Sequence, residues 1–306
     1  MNTVNDNILE VRDLKQHFRI DRRHSVKAVD GVSFTIKRGS TFGLVGESGS
    51  GKSTIGRTVI RLYAPTCGSV KLNGRELGGK LTLQMKQYLT GRVQMIFQDP
   101  MASLNPRKKI IDIVAEGLDS NKPRGERNEL VYAQLERVGL SREFAGRYPH
   151  MFSGGQRQRV GIARAIITDP ELIIADECIS ALDMSIQAQV VNLMKDLQTE
   201  RGLTYLFIAH DLSMVKYISD YIGVLHMGRL VESGTKDDIF QNPIHPYTKS
   251  LISAIPEPNP LTEPHRISRV YDAPAQGIVY ANGTERYLTD THMVLATDGE
   301  LETWIA

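Results

Sequence analysis

The chain has 306 residues, 37 Lys and Arg against 35 Asp and Glu, and a net charge of +2, so charge supplies no footing for nucleic acid as the main partner. Hydrophobic and charged fractions of 41% and 24% suit one large globular domain or two. Two cysteines, Cys67 and Cys178, make neither a disulfide framework nor a thiolate metal cluster and fit a reducing cytosol. The first residues, Met1 to Asn7, are polar and lack the apolar core of a signal peptide, and no apolar run approaches the ~20 residues that cross a bilayer.

In chain order, residues 8–14 and 32–36 alternate apolar and polar as half-buried antiparallel strands do, with a basic, loop-like stretch from Arg19 to Lys27 between them. Thr41 to Val45 reads as a buried strand. It runs into Gly46, Glu47, Ser48, Gly49, Ser50, Gly51, Lys52 and Ser53, which fit the phosphate-binding loop G-x-x-x-x-G-K-[ST]. The chemistry explains the residue types. Glycines let successive backbone N–H groups turn inward as an anion nest, Lys52 adds a mobile charge for the β- and γ-phosphates, and the Ser53 hydroxyl can ligate Mg²⁺. Residues 53–62, beginning Ser53-Thr54, continue at helical period, so phosphates would sit on a helix N-terminus.

Val70 to Leu72, closed by Asn73-Gly74, is a short strand with a turn signal. The character shifts near Met85. Val93 to Phe97 is a strand, Gln98 to Lys109 is polar, and 110–117 and 126–138 read as amphipathic helices, the insert ending near residues 147–150. A long helix from about Gly155 to Thr168 follows. Strands at 172–175, 204–209 and 221–226 then alternate with helices at 185–201 and 212–219, which implies a parallel sheet with covering helices. The stretch from Asn242 to Tyr247 breaks the pattern, and Pro256, Pro258, Pro260 and Pro264 mark an extended linker. Beyond it, Asn282-Gly283 and Asp298-Gly299 sit between alternating runs, and these hairpin signals predict a β-meander over 278–305.

Two further stretches carry chemistry. Leu172 to Ala175 is an apolar strand ending in Asp176-Glu177. At the C-terminal edge of a strand beside the P-loop strand, the first carboxylate can hold Mg²⁺ through water and the second can polarise an attacking water. Phe152 to Arg159 places a hydroxyl and two glycines at a predicted helix start, which is either a second anion site or an N-capped helix with Ser153 as the cap.

Taken together, Ser153, Gly154, Gly155 and Gln156 after Phe152 resemble the LSGGQ signature of ATP-binding cassette (ABC) ATPases, with Phe for Leu. Other elements of that family follow in order: Phe18 is similar to the aromatic that stacks on adenine, Gln98 to the Q-loop glutamine, Ser180 to Asp183 to the D-loop, and His210 to the switch histidine. Residues 98–107, 152–159, 202–213, 242–247 and 254–256 resemble more narrowly the OppF/DppF-like branch of the oligopeptide/dipeptide permease ATPases. All but the last ~40 residues are covered by this likeness, the tail being read from composition alone.

The resemblance implies an α/β fold: a P-loop NTPase (RecA-like) core, an antiparallel β-subdomain and a helical insert at about 91–165. The ABC unit would span 1–240 and a permease-type extension 241–306, to which the hairpin signals add the small β appendage. It implies an ATPase with ATP and Mg²⁺ as cofactors, Ser53 and Gln98 on the metal with Asp176 behind water, and Glu177 and His210 as the catalytic pair. Ser153 and Gly155 would face ATP on a partner, a sibling D-type ATPase. The remaining partners would be two transmembrane permease subunits and an extracytoplasmic binding protein, the chain touching the membrane only through the permeases at its cytoplasmic face. Cys178 departs from the usual Pro, read as a small substitution rather than a redox device, and the tail lacks the cysteines of an iron–sulfur site. The competing readings are another cargo such as nickel, a glycoside or glutathione, a P-loop kinase or GTPase that shares only the loop, against which Ser153 to Gln156 argue, a module that binds ATP without hydrolysing it, against which Glu177 and His210 argue, and a cytosolic ABC ATPase without transport. Ribosome-acting members carry two cassettes and DNA-repair members a coiled coil, and the chain has neither pattern.

Overall fold

The computed structural model describes residues 6–21, 24–255, 271–273 and 278–306. The four linker prolines and the first five residues lie outside them. Strands β1 (Asn7–Arg19) and β2 (Ser25–Lys37) open the chain as an antiparallel pair. Both are longer than their alternating segments, so Ser25 to Lys27, expected as loop, pair with Arg19 to His17. The P-loop strand β3 (Thr41–Val45) feeds helix α1 (Lys52–Val59). Strands β4 (Cys67–Leu72) and β5 (Arg75–Glu76) complete a four-stranded sheet in the order β2-β1-β4-β5.

Helix α2 (Leu83–Arg92), capped by the Thr82 hydroxyl, leads to β6 (Val93–Ile96). Helices α3 (Pro100–Ser103), α4 (Ile110–Val114), α5 (Arg124–Arg137) and α6 (Gly154–Ile166) form the helical insert. The insert begins after Ile96, not at residue 91, because β6 pairs in register with the following strand β7 (Leu172–Asp176) and belongs to the core sheet. Then come α7 (Met184–Arg201), β8 (Thr204–Ile208), α8 (Leu212–Ile218), β9 (Tyr221–His226) and β10 (Arg229–Thr235). Gly202, at φ 65°, supplies the left-handed stop that ends α7.

The main sheet runs β6-β7-β8-β3-β9-β10, with the first five strands parallel and β10 antiparallel. Every residue of β3, β7 and β8 is buried, which is why these strands read as unbroken apolar runs: both faces are covered. On one face α1 inserts Ile55 and Val59 between Leu44 and Ile208 of this sheet and Leu9 and Leu14 of the antiparallel one. On the other, α6, α7 and α8 bury Val160, Val190, Met194 and Val215. One neighbour differs from expectation. The strand bearing Asp176 does not lie beside the P-loop strand; β8 stands between them.

Past β10, α9 (Lys236–Gln241) and α10 (Pro246–Ser253) are helical where only a break was expected. The tail is not a four-stranded meander. Strands β11 (Thr284–Tyr287) and β12 (Met293–Ala296) form one hairpin that extends the main sheet beyond β10, so the β appendage is real but half as large. Residues 298–305, expected as a strand, are helix α11 (Asp298–Ile305). Thr297 accepts from the Glu300 N–H while the Glu300 carboxylate accepts from Thr297, a capping box that overrides the Asp298-Gly299 turn signal. Asn282-Gly283 precedes β11 instead of closing a hairpin, whose loop is 288–292. Among the described residues no helix is long and apolar enough to cross a membrane.

Candidate functional site

The loop from Gly46 to Ser53 wraps closely over the end of β9. Gly46 has φ 148°, and a Cβ there would lie 2.0 Å from the Leu225 carbonyl oxygen, so only glycine fits. Glu47, Ser48 and Gly49 are exposed at the loop tip, whereas Ser50 and Lys52 are buried. The Lys52 ammonium, with 3% of its side chain exposed, donates to the carbonyls of Gly46 (2.7 Å) and Glu47 (2.8 Å). Burial pulls it below the usual lysine range, opposed by the Glu177 and Asp176 carboxylates. Ser53 and Thr54 open α1, where the Thr54 carbonyl accepts from Thr58 one turn on.

The carboxylates meet this loop from β7. The Ser53 hydroxyl donates to Asp176 Oδ1 at 2.6 Å, and the Arg57 guanidinium lies 3.5 Å from Oδ2. Burial pushes the Asp176 carboxyl up, against the pull of Ser53 and Arg57. Consecutive strand residues point to opposite faces, so Asp176 and Glu177 would diverge if β7 simply continued. It does not. Glu177 adopts φ 45°, its N–H held by the Ile208 carbonyl at 2.9 Å, and this left-handed step returns its side chain to the Asp176 side. There its carboxylate accepts from Gln98 Nε2 at 2.9 Å and sits 3.8 Å from Lys52 Nζ. Beside it, His210 shares a cavity of about 30 Å³ with Glu177, Ser180 and Gln187.

The structure therefore brings Lys52, Ser53, Gln98, Asp176, Glu177 and His210 to one place, and leaves other expected residues outside it. Phe18 is half-buried near the end of β1, edge-on to Tyr63 with ring centroids 5.2 Å apart. Ser153 to Gln156 make no hydrogen bond to the P-loop among the described residues. Both readings of that stretch remain physically compatible: Ser153 caps α6 in a full capping box with Gln156, yet its oxygen serves there as an acceptor, so its O–H stays free to donate outward. Gly155 lies so close to α7 that a Cβ would meet the Ile186 methyl at 2.6 Å. Asp183 starts α7 without using its exposed side chain as a cap.

Sequence reading missed Arg57, although it stands one turn after Ser53 on the same helix face. Cys178 is buried and its thiol is pushed up to about 12 by burial, which keeps it protonated and agrees with a small packing substitution.

The donor set suits a triphosphate with a hard divalent cation. The Ser53 hydroxyl meets the Asp176 carboxylate, the Gln98 amide meets the adjoining Glu177 carboxylate, and Asp176 Oδ2 is buried without a hydrogen bond, so oxygen-bearing groups gather beside the loop.

Comparison with known proteins agrees. The family described as "ABC transporter" matches residues 29–180, and "Oligopeptide/dipeptide transporter, C-terminal region" matches 231–278. The chain is 55% identical over 303 residues to the oligopeptide transport ATP-binding protein OppF of Bacillus subtilis (strain 168), covering 98% of this chain and 99% of that one. It is 50% identical over 305 residues to the dipeptide transport ATP-binding protein DppF of Lactococcus lactis subsp. cremoris (strain MG1363), covering 97% and 96%. Among solved structures, the ATP-binding cassette MJ0796 in a dimeric post-hydrolysis state bound to ADP and Pi superposes with a TM-score of 0.69 at 26% identity, over 74% of this chain and 98% of that one. CbiO1 from Clostridium perfringens, part of the ABC transporter complex CbiONQ, gives 0.69 at 25% identity over 78% and 92%. The chain belongs to the ABC transporter family, as an ATP-binding ATPase subunit of its oligopeptide/dipeptide branch.

Proposed function

We propose that this chain is the engine of a peptide importer: it binds ATP at residues 46–54, hydrolyses it at Glu177, and thereby drives two permease subunits that move oligopeptides or dipeptides delivered by an extracytoplasmic binding protein. The observation that carries this reading is the double junction at the P-loop, Ser53 on Asp176 at 2.6 Å and Gln98 on Glu177 at 2.9 Å.

In this reading Phe18 stacks on adenine and the loop amides with Lys52 hold the phosphates. Ser53, Gln98 and, through water, Asp176 would hold Mg²⁺, which supplies charge neutralisation on the β- and γ-phosphates. Glu177 accepts a proton from, or orients, the water that attacks the γ-phosphorus, and His210 keeps that geometry. Ser153 and Gly155, with Asp183 nearby on the D-loop, close on the nucleotide of a sibling D-type ATPase. Two ATP molecules thus favour the closed pair and hydrolysis releases it, a population shift by differential binding. We take 1–240 as the ATPase unit and 241–306 as its extension, held at the cytoplasmic face by the permeases alone.

The reading is tested by phosphate release from the chain alone, with the sibling ATPase, and with the whole transporter in liposomes. Expected are slow turnover alone that rises with chain concentration, and a further rise with permeases, binding protein and peptide. Rapid, concentration-independent hydrolysis by a monomer, indifferent to the other subunits, would contradict it.

A further inference from the structure

The C-terminal extension reaches into the ATP site through one hydroxyl. Tyr247, on the first turn of α10, is fully buried, and its phenol oxygen accepts a hydrogen bond from the backbone N–H of Glu47 at 3.0 Å, across 200 positions of sequence. Glu47 is the second residue of the P-loop, directly after the glycine that rides on Leu225.

The local sequence explains how the ring gets there. His245 caps α10, its Nδ1 accepting from the Tyr247 N–H at 3.1 Å, and Pro246 starts the helix with the φ that position needs. Tyr247 then stands in the first turn, pointed at the loop. Its ring is walled by His226 at a centroid distance of 4.2 Å and Tyr271 at 5.2 Å. The helix start is itself anchored: the buried Glu232 carboxylate on β10 accepts from the N–H groups of Ile244 (2.8 Å) and His245 (3.1 Å). A chain of hydrogen bonds therefore runs from the core sheet through Glu232, the His-Pro-Tyr turn and Tyr247 to the P-loop.

We infer that Tyr247 is a positioning residue for nucleotide binding, fixing the entry of the P-loop through the Glu47 amide so that the following amides are preset for phosphate. Burial pushes the phenol up to about 12, so it stays a neutral hydrogen-bonding group at working pH. A partner here matters because the loop cannot supply one. Residue 47 is held on both sides, its carbonyl by Ser50 N–H and Lys52 and its amide by Tyr247; released from Tyr247, that amide turns to water and the loop that must hold the phosphates loses a fixed point. The same contact makes the extension part of the ATP site. The inference rests on nucleotide occupying residues 46–54 and not on cargo or pairing.

The test is calorimetric binding of ATP with magnesium to the full chain. Tyr247→Phe keeps the ring and removes the acceptor, and affinity is expected to fall about 5- to 50-fold. Tyr271→Phe removes a hydroxyl that, among the described residues, bonds to Tyr280 in the same cluster and not to the P-loop, and binding should stay within about twofold of the unaltered chain. In the assembled transporter Tyr247→Phe should raise KM for ATP by a similar factor with kcat nearly unchanged, since the loop holds ground state and transition state alike. Unaltered ATP affinity in Tyr247→Phe, or an equal loss in Tyr271→Phe, overturns the assignment. Should Tyr247→Phe fail to fold, hydrogen exchange in the unaltered, nucleotide-free chain decides: the Glu47 amide is expected to be protected, and exchange at the rate of an exposed amide overturns it. If the unaltered chain binds no ATP, the nucleotide reading itself is what fails.

Discussion

Glu177→Gln should bind ATP about as tightly as the unaltered chain and lose roughly 10²- to 10⁴-fold in turnover. The shape of the side chain is kept, an amide oxygen can still accept from Gln98, and the left-handed backbone at residue 177 is tolerated as before. What disappears is the carboxylate proposed to take or orient the water proton. The charge 3.8 Å from Lys52 disappears too, which removes a repulsion on the γ-phosphate and favours retention of uncleaved ATP. Single-turnover phosphate release, with recovery of ATP on the protein after gel filtration, checks both parts. Turnover like that of the unaltered chain would remove Glu177 from its proposed role.

The second large effect concerns stability. Glu232 is wholly buried and its carboxylate gathers three donors from two distant segments: Ile244 and His245 N–H, and the His292 ring at 2.8 Å. Glu232→Ala leaves those groups buried without a partner, at about 3–5 kcal/mol. For a chain of this size that lowers Tm by roughly 5–8 °C. Because the same carboxylate anchors the turn that carries Tyr247, ATP affinity should weaken in the same variant at temperatures where it is folded. Thermal unfolding followed with and without ATP measures both, and a fall in Tm below about 2 °C would show that the cluster does not hold the extension in place.

What was readable in the sequence was what local chemistry determines. The P-loop strand at 41–45 and the strand at 221–226 have the residues expected of them, and the helix over 184–201 falls within one residue, because unbroken apolar runs and helical periodicity are properties of short windows. The family resemblance rested on ordered motifs and is borne out by the relatives. What escaped was set by distant parts of the chain or by competition between local signals. The position of β8 between β3 and β7 is a matter of topology, invisible along either strand. The strand 229–235 is an antiparallel addition whose pairing with β9 decides its state. At Asp298-Gly299 two turn grammars competed, and the capping box from Thr297 to Glu300 prevailed over the hairpin dipeptide. Tyr247 lies within a stretch legible only as a break in the pattern and a mark of the family, since its contact with Glu47 spans most of the chain. The site shows the same division. The types and order of its residues were legible, but the left-handed turn at Glu177 that puts two successive carboxylates on one side was not.

The proposal stands on Ser153 and Gly155 completing a pocket that belongs to another chain. The most direct measurement is a structure of the Glu177→Gln transporter loaded with ATP and magnesium. The predicted result has the free O–H of Ser153 donating to the terminal phosphate held by the sibling's P-loop, at an oxygen separation of about 2.7 Å. If the start of α6 faces solvent while both nucleotides are bound, each chain works its own site unaided, and the account of a shared pocket is wrong.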